Sequence, residues 1–450
     1  MECLNWKKPL QALVFVTMGA FFLNVPLYDS IATDLDQPGI LLAKAKKKSK
    51  KTEDIEAGPF DHLSPHRDQS AFSGKFKVLP PLREAVDFWK MVYTKYDRNF
   101  EIFHDTENLG VIYSVMDFTD LYNRTELTRE ERLAILQPLL DAEEARIKAM
   151  LLRIHEFQRQ PDNLNNEERR ILEKFKGDNN PDKFLEAADE ARIRAQTGIR
   201  NKFIEAIRYS GAYVEEFEDI FAGYGIPMEL TRLAFVESMF NVYAQSKVGA
   251  SGMWQFMPST ARVYGLVVNG FVDERNDPIA AAHAAARLLK SNYEALGTWP
   301  LAINAYNSGR ATMSRAVQAM GTTKISKIIK FYRGGVYGFA SRNFYPSFLA
   351  ALEVSRRYKE YFGELPRDSK FVYDTYIVKN AVLIENLAAT AGISLVELAA
   401  LNPHYSEEVQ SGLKKIPAGY AIRVPKGSTA QFAQAEAALS APPSDLLTEK

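Results

Sequence analysis

Glu237 is the residue whose type and setting could do acid–base chemistry. It lies in the stretch 225–265, GIPMELTRLAFVESMFNVYAQSKVGASGMWQFMPSTARVYG. Leu230, Leu233, Ala234 and Glu237 are spaced so that they share one face of a helix. A carboxylate therefore stands on a stripe of apolar side chains. Burial disfavours the charged form, so such a carboxyl keeps its proton above the free value of about 4.3. That setting suits a general acid working near neutral pH. The spacing leaves a second reading open, in which Glu237 sits at the rim of the stripe near the helix C-terminus and reaches water.

The elements that must position it can be read on either side. Pro227 starts the helix, since a proline in the first turn gives up an amide that has no partner there. The helix runs towards Met239. Ser246, Gly249, Ser251 and Gly252 then make a loop whose backbone can approach a ligand closely. Met253 to Met257 sets two aromatics and two thioethers around one amide, Gln255. Pro258 closes it, with a helix cap expected at Ser259 or Thr260. Apolar walls with one or two orienting polar groups line sugar clefts, although the same mixture also occurs in ordinary cores.

Glu237-Ser238, Asn241, Ala244, Ser246, Gly249-Ala250, Gly252, Trp254 to Pro258 and Thr260-Ala261 together resemble the catalytic core of the lytic murein transglycosylases. Ala305-Tyr306-Asn307-Ser308-Gly309 resembles that family's later Ala-Tyr-Asn motif. The likeness covers roughly residues 205–360 and is nearest the membrane-bound murein transglycosylase D group. It implies a mainly α fold with a lysozyme-like helical catalytic domain, similar to goose-type lysozyme. It also implies the roles of site residues. Glu237 would be the acid/base, Ser246 and Gln255 would hold the acetamide and sugar oxygens, and Met257 would line the cleft. Tyr306 and Asn307 would orient the intermediate. Many relatives have a tyrosine bonded to the acid where this chain has Phe344, with Tyr345 next to it. Either Tyr345 takes over that bond through a shifted helix start or the bond is absent.

Glycoside hydrolysis usually uses two carboxylates a set distance apart. The nearest to Glu237 in this stretch, Glu229, lies eight residues back and about eighty degrees round a helix. The resemblance implies that one acid suffices, the substrate's acetamide stabilising the developing cation and the muramoyl C6 hydroxyl closing a 1,6-anhydro ring. Hydrolysis by the same fold and a non-catalytic peptidoglycan-binding scaffold are the rival readings.

Across 450 residues, 56 basic and 56 acidic side chains balance, so no global basic field points to nucleic acid. The single cysteine, Cys3, leaves the rest of the chain without a thiol for a disulfide or a catalytic nucleophile. Six histidines without a His-x-x-His or His-Glu-x-x-His spacing predict no metal, and no cofactor is expected. His283, alone among alanines, reads as packing.

In chain order, 1–30 reads as a signal peptide or membrane anchor, with Lys7-Lys8 before an apolar run. Residues 31–79 read as a basic flexible linker, and 80–204 as a helical accessory region with helices over 82–96, 129–157 and 166–175 and a β-rich piece at 111–116. The catalytic domain is expected over 205–365. It includes a helix over 201–221, an alanine-rich helix started by Asp277-Pro278, and a helix opened by Trp299-Pro300. Strand, helix, helix, strand over 371–427 resembles a small βααβ LysM module, whose family binds N-acetylglucosamine-containing glycans. The usual Gly-Asp-Thr is replaced by Asn380-Ala381-Val382, so a structural role stands beside a binding one. A flexible tail is expected over 428–450. The implied partners are peptidoglycan glycan strands, and a membrane if the leader stays uncleaved. The implied location is the periplasm or the cell-envelope membrane.

Overall fold

The computed structural model describes residues 74–440. The expected leader, nearly all of the linker and the last ten residues of the tail lie outside that span. Within it the chain is mainly α, with one three-stranded and one two-stranded sheet.

The main core is helical. Helix Arg200–Gly223 buries Phe203, Ile207 and Phe217, three of the four residues its periodicity picks out, with Tyr213 half-buried. Helix Pro278–Leu296 lies against it. Asp277 accepts bonds from the amides of Ile279 and Ala280 at its start, and Pro278 occupies the first turn. Ala281, Ala282, Ala284, Ala285 and Ala286 are all fully buried, and such small side chains let neighbouring helix axes approach closely. Helix Trp299–Ser308 packs on it, and helix Phe339–Arg356 packs on that in turn. His283 rests edge-on against Tyr224, 5.8 Å between rings.

The accessory region shares this core. Helix Arg83–Thr94 buries Trp89, Val92 and Tyr93 in it, and the Trp89 indole donates to Asn343 at 3.2 Å. Beyond that helix lies a second core, formed by helix Arg129–Phe157 against a three-stranded antiparallel sheet whose first strand in sequence lies between the other two. The strands are β1 Phe100–Asp105, β2 Ile112–Asp117 and β3 Ile193–Thr197. Only β2 was expected. The other two pair across some ninety residues, Glu101 opposite Thr197, and distant pairing leaves no local periodicity to read.

The C-terminal module has strands β4 Asp374–Ile377 and β5 Ala421–Val424 paired antiparallel, with helices Ile384–Thr390 and Leu395–Leu401 between them. The tail corrects an expectation. Instead of being flexible from 428, the chain forms helix Thr429–Ser440, which buries Phe432 completely. Glu436 on this helix accepts bonds from Tyr376 and from the amides of Lys379 and Asn380, so the helix is part of the module. Among the described residues no single helix is long and apolar enough to cross a membrane.

Candidate active site

Glu237 lies on a one-turn element wrapped in protein. A 3-10 turn, Met228–Arg232, leads into helix Leu233–Ser238, and all six residues of that helix are buried. The rim reading is overturned: Glu237 is 0% exposed. Neither carboxyl oxygen has a hydrogen-bond partner among the described residues. Burial alone lifts its pKa well above the ordinary 4.5, with no charge contributing.

Beneath the site, the Arg232 guanidinium is paired with Glu218, and both side chains are fully buried. Breaking a buried pair strands a charge and costs about 3–5 kcal/mol, whereas an apolar replacement of both partners is often neutral. Arg232→Ala is therefore expected to lower unfolding stability by about that amount in urea, and Glu218→Leu with Arg232→Met by much less. Equal losses from the two would remove the pair as a support of the helix.

The helix stops one residue after the acid. Met239 and Phe240 both take left-handed backbone, φ 52° and 57°, and the Phe240 amide reaches back to Ala234 O at 3.2 Å. Among the described residues, the one other non-glycine with positive φ is Gln255, at 49°. Each such residue costs about 1–3 kcal/mol and persists where its surroundings over-determine it, commonly at functional sites.

The loop from Asn241 to Met257 is folded on itself and held from both sides. Ser238 Oγ donates to Met253 O at 2.8 Å, and Tyr306 Oη donates to Trp254 O at 2.8 Å. The Gln255 side-chain nitrogen donates to Ala244 O at 3.0 Å and Gly252 O at 2.9 Å. Ser246 Oγ accepts from the Ala250 amide at 2.8 Å. Both expected sugar-holding residues thus shape their own loop. The loop ends at helix Pro258–Val263, with Met257 as the N-cap residue and no side-chain cap. The expected cap at Ser259 or Thr260 is corrected, since Pro258 fills the first position.

Trp254 and Phe256 turn inward. They are 0% and 2% exposed, and Trp254 packs on Phe217 and Phe221. The aromatic part of the expected cleft wall is therefore core, while Met257 is half-buried at the surface.

Tyr306 and Asn307 lie on helix Trp299–Ser308. The Tyr306 hydroxyl is pushed well above its ordinary range by burial and, secondarily, by the Glu237 charge. Asn307 Oδ1 accepts from Ser341 Oγ at 3.1 Å. Tyr345 does not bond the acid. It sits inside the continuous helix Phe339–Arg356, its ring 6.3 Å from that of Phe348, and the second of the two alternatives holds. Successive residues on a helix point about 100° apart, so Tyr345 cannot take the place of Phe344. Residue types and spacing gave no signal for Arg275, which holds the loop from outside.

Two stretches carry named domain types. Residues 222–329, which contain Glu237, Tyr306 and the loop between, match the transglycosylase SLT domain. Residues 372–441 match the LysM-like domain of lytic transglycosylase MltD, which includes the C-terminal helix. The chain thus has an SLT transglycosylase domain followed by an MltD-type LysM-like domain. Among individual proteins, it is similar to membrane-bound lytic murein transglycosylase D of Escherichia coli K12, 32% identical over 179 residues, 39% of each chain. The protein of the same name from a second Escherichia coli strain matches to the same extent. The matched part spans 39% of the length of these curated relatives. A solved structure of an inactive mutant of lytic transglycosylase Slt from Pseudomonas aeruginosa is 16% identical, covering 56% of this chain and 36% of that one, at a TM-score of 0.26.

Proposed function

We propose that the protein is a peptidoglycan lytic transglycosylase that cleaves the β-1,4 bond between N-acetylmuramic acid and N-acetylglucosamine with Glu237 as its one acid/base. Glu237 donates its proton to the glycosidic oxygen as the bond from the muramoyl C1 breaks, and the substrate's acetamide oxygen stabilises the cation. The Glu237 carboxylate then takes the proton of the C6 hydroxyl, whose oxygen closes on C1. The product is a 1,6-anhydro ring, no water is consumed, and the acid returns to its starting form. One observation carries the reading: the acid is dry, its pKa is raised by burial, and among the described residues no second carboxylate perturbs it. A base across the groove would be needed for the usual hydrolytic alternative. The likeness to an envelope enzyme supports glycan strands as substrate and the cell envelope as location.

Digestion of purified sacculi tests this. The expected soluble products end in anhydro-muramic acid by mass spectrometry, and reducing-end muramic acid would mean hydrolysis. The acid must start protonated, so kcat/KM is expected to be flat at low pH and to fall as pH rises through the Glu237 pKa, which lies above 4.5. A kcat/KM that has already fallen away by pH 4.5 as pH rises would remove Glu237 from the role of proton donor.

A further inference from the structure

We propose that the LysM-like module braces the active-site loop, with Arg275 as the positioning residue through which it acts. The transglycosylase reading enters only through the activity measured below.

The tip of the loop is exposed. Gly249, Gly252 and Gln255 all hold positive φ, and Lys247, Val248 and Gly249 are exposed. Arg275 ties that tip down. Its Nη1 donates to Gly249 O at 2.6 Å and Phe256 O at 3.1 Å, tying the tip of the loop to its end. Its Nε and Nη2 are held by the Asp273 carboxylate at 2.9 and 2.6 Å. A planar guanidinium fixed on one edge presents the other in a set direction.

The segment bearing Arg275 is anchored in turn by the module. The Asp273 amide donates to His404 O at 2.6 Å, and the Ser406 amide to Phe271 O at 2.8 Å. Val272 bridges Tyr405 and buries its side chain in the module's own core. Nη2 of Arg423, on β5, reaches both oxygens of the Asp277 carboxylate, at 2.8 and 2.6 Å, and that carboxylate also caps the alanine-rich helix. The connecting segment is pinned as well. The Asp368 amide donates to Arg208 O at 3.0 Å, and its carbonyl lies where a side chain at Gly211 would begin. One segment, 270–277, therefore belongs to the module on one side and to the active-site loop on the other. A module that served only to hold glycan would gain nothing from a desolvated ion pair to the catalytic domain.

The test uses the full chain with Arg423→Ala, the milder Arg423→Gln, Arg275→Ala and Arg275→Lys. Hydrogen exchange at the Gly252 and Phe256 amides is expected to quicken by about tenfold in Arg423→Ala and Arg275→Ala, whether or not the chain has activity. On soluble glycan fragments, kcat is expected to fall by about tenfold to a hundredfold with KM near the wild-type value. Arg275→Lys should recover part of it. Arg275→Ala combined with Arg423→Ala should be no worse than the worse single variant, because both cut one connection. Unchanged exchange in folded Arg423→Gln and Arg423→Ala, or a rise in KM alone, would overturn the brace. Wild-type protein that releases no product would defeat the transglycosylase reading instead, and exchange would then decide the brace by itself.

Discussion

Glu237→Gln is expected to cut release of anhydro-muropeptides by about a hundredfold to ten-thousandfold, the range that general acid–base groups contribute, while sacculus binding persists. An amide matches the carboxyl in shape and lacks the proton to give. The same variant carries a stability signature. Burial raises the folded-state pKa above the unfolded value, so the folded protein binds more protons between the two. The stability this contributes is complete below the unfolded pKa, near 4.5, and is lost as pH rises through the folded pKa. Glu237→Gln does not titrate. Its melting temperature should therefore gain on the wild type as pH is raised from 4 to 8, because the wild type alone must ionise a dry carboxyl. Turnover near the wild-type rate would end the acid/base assignment. A melting-temperature difference that does not widen with pH would mean that the carboxyl reaches water in solution.

Gly252→Ala should do the most damage to the loop. Gly252 has φ 79°, and a Cβ there would come within 1.8 Å of Arg275 O and 2.6 Å of its carbonyl carbon. The obstacle is backbone, so no rotamer change relieves it. Either the loop or the turn carrying Arg275 must move, and both lead to the site. A loss of about 3 kcal/mol or more is expected in urea unfolding, at the top of the usual range for one substitution, together with loss of activity. Gly249→Ala is the contrast. Gly249 has φ 89° but nothing within 4 Å of a Cβ, so backbone strain alone should cost about 1–2 kcal/mol. If the two variants lose equal stability, the close approach of Arg275 to Gly252 is not what demands glycine.

Much of the site was legible because it is local. Three-and-four spacing placed Glu237 with Leu230, Leu233 and Ala234, and all four are fully buried. Pro278 and Pro300 marked helix starts that the chain uses, each in the first turn. The aromatics of the loop were not legible in the same way. Trp254 and Phe256 would have the same residue types in a cleft wall or a core, and which one they join depends on Phe217 and Phe221 arriving from another helix. Phe432 likewise seals the C-terminal helix into the module, although alanine-rich surroundings at 428–440 read as loose chain.

What the order of residues determined without help was that Glu237 shares a helix face with Leu230, Leu233 and Ala234, and the two kinds of module, since periodicity and short motifs are encoded between near neighbours. Tertiary structure alone decided that Tyr345 leaves the acid unbonded, that Gln255 and Ser246 first hold their own loop, and that Arg275 and Arg423 join that loop to the second module. Those outcomes depend on groups many residues apart meeting at hydrogen-bond distance, and only the packing of whole helices sets such distances.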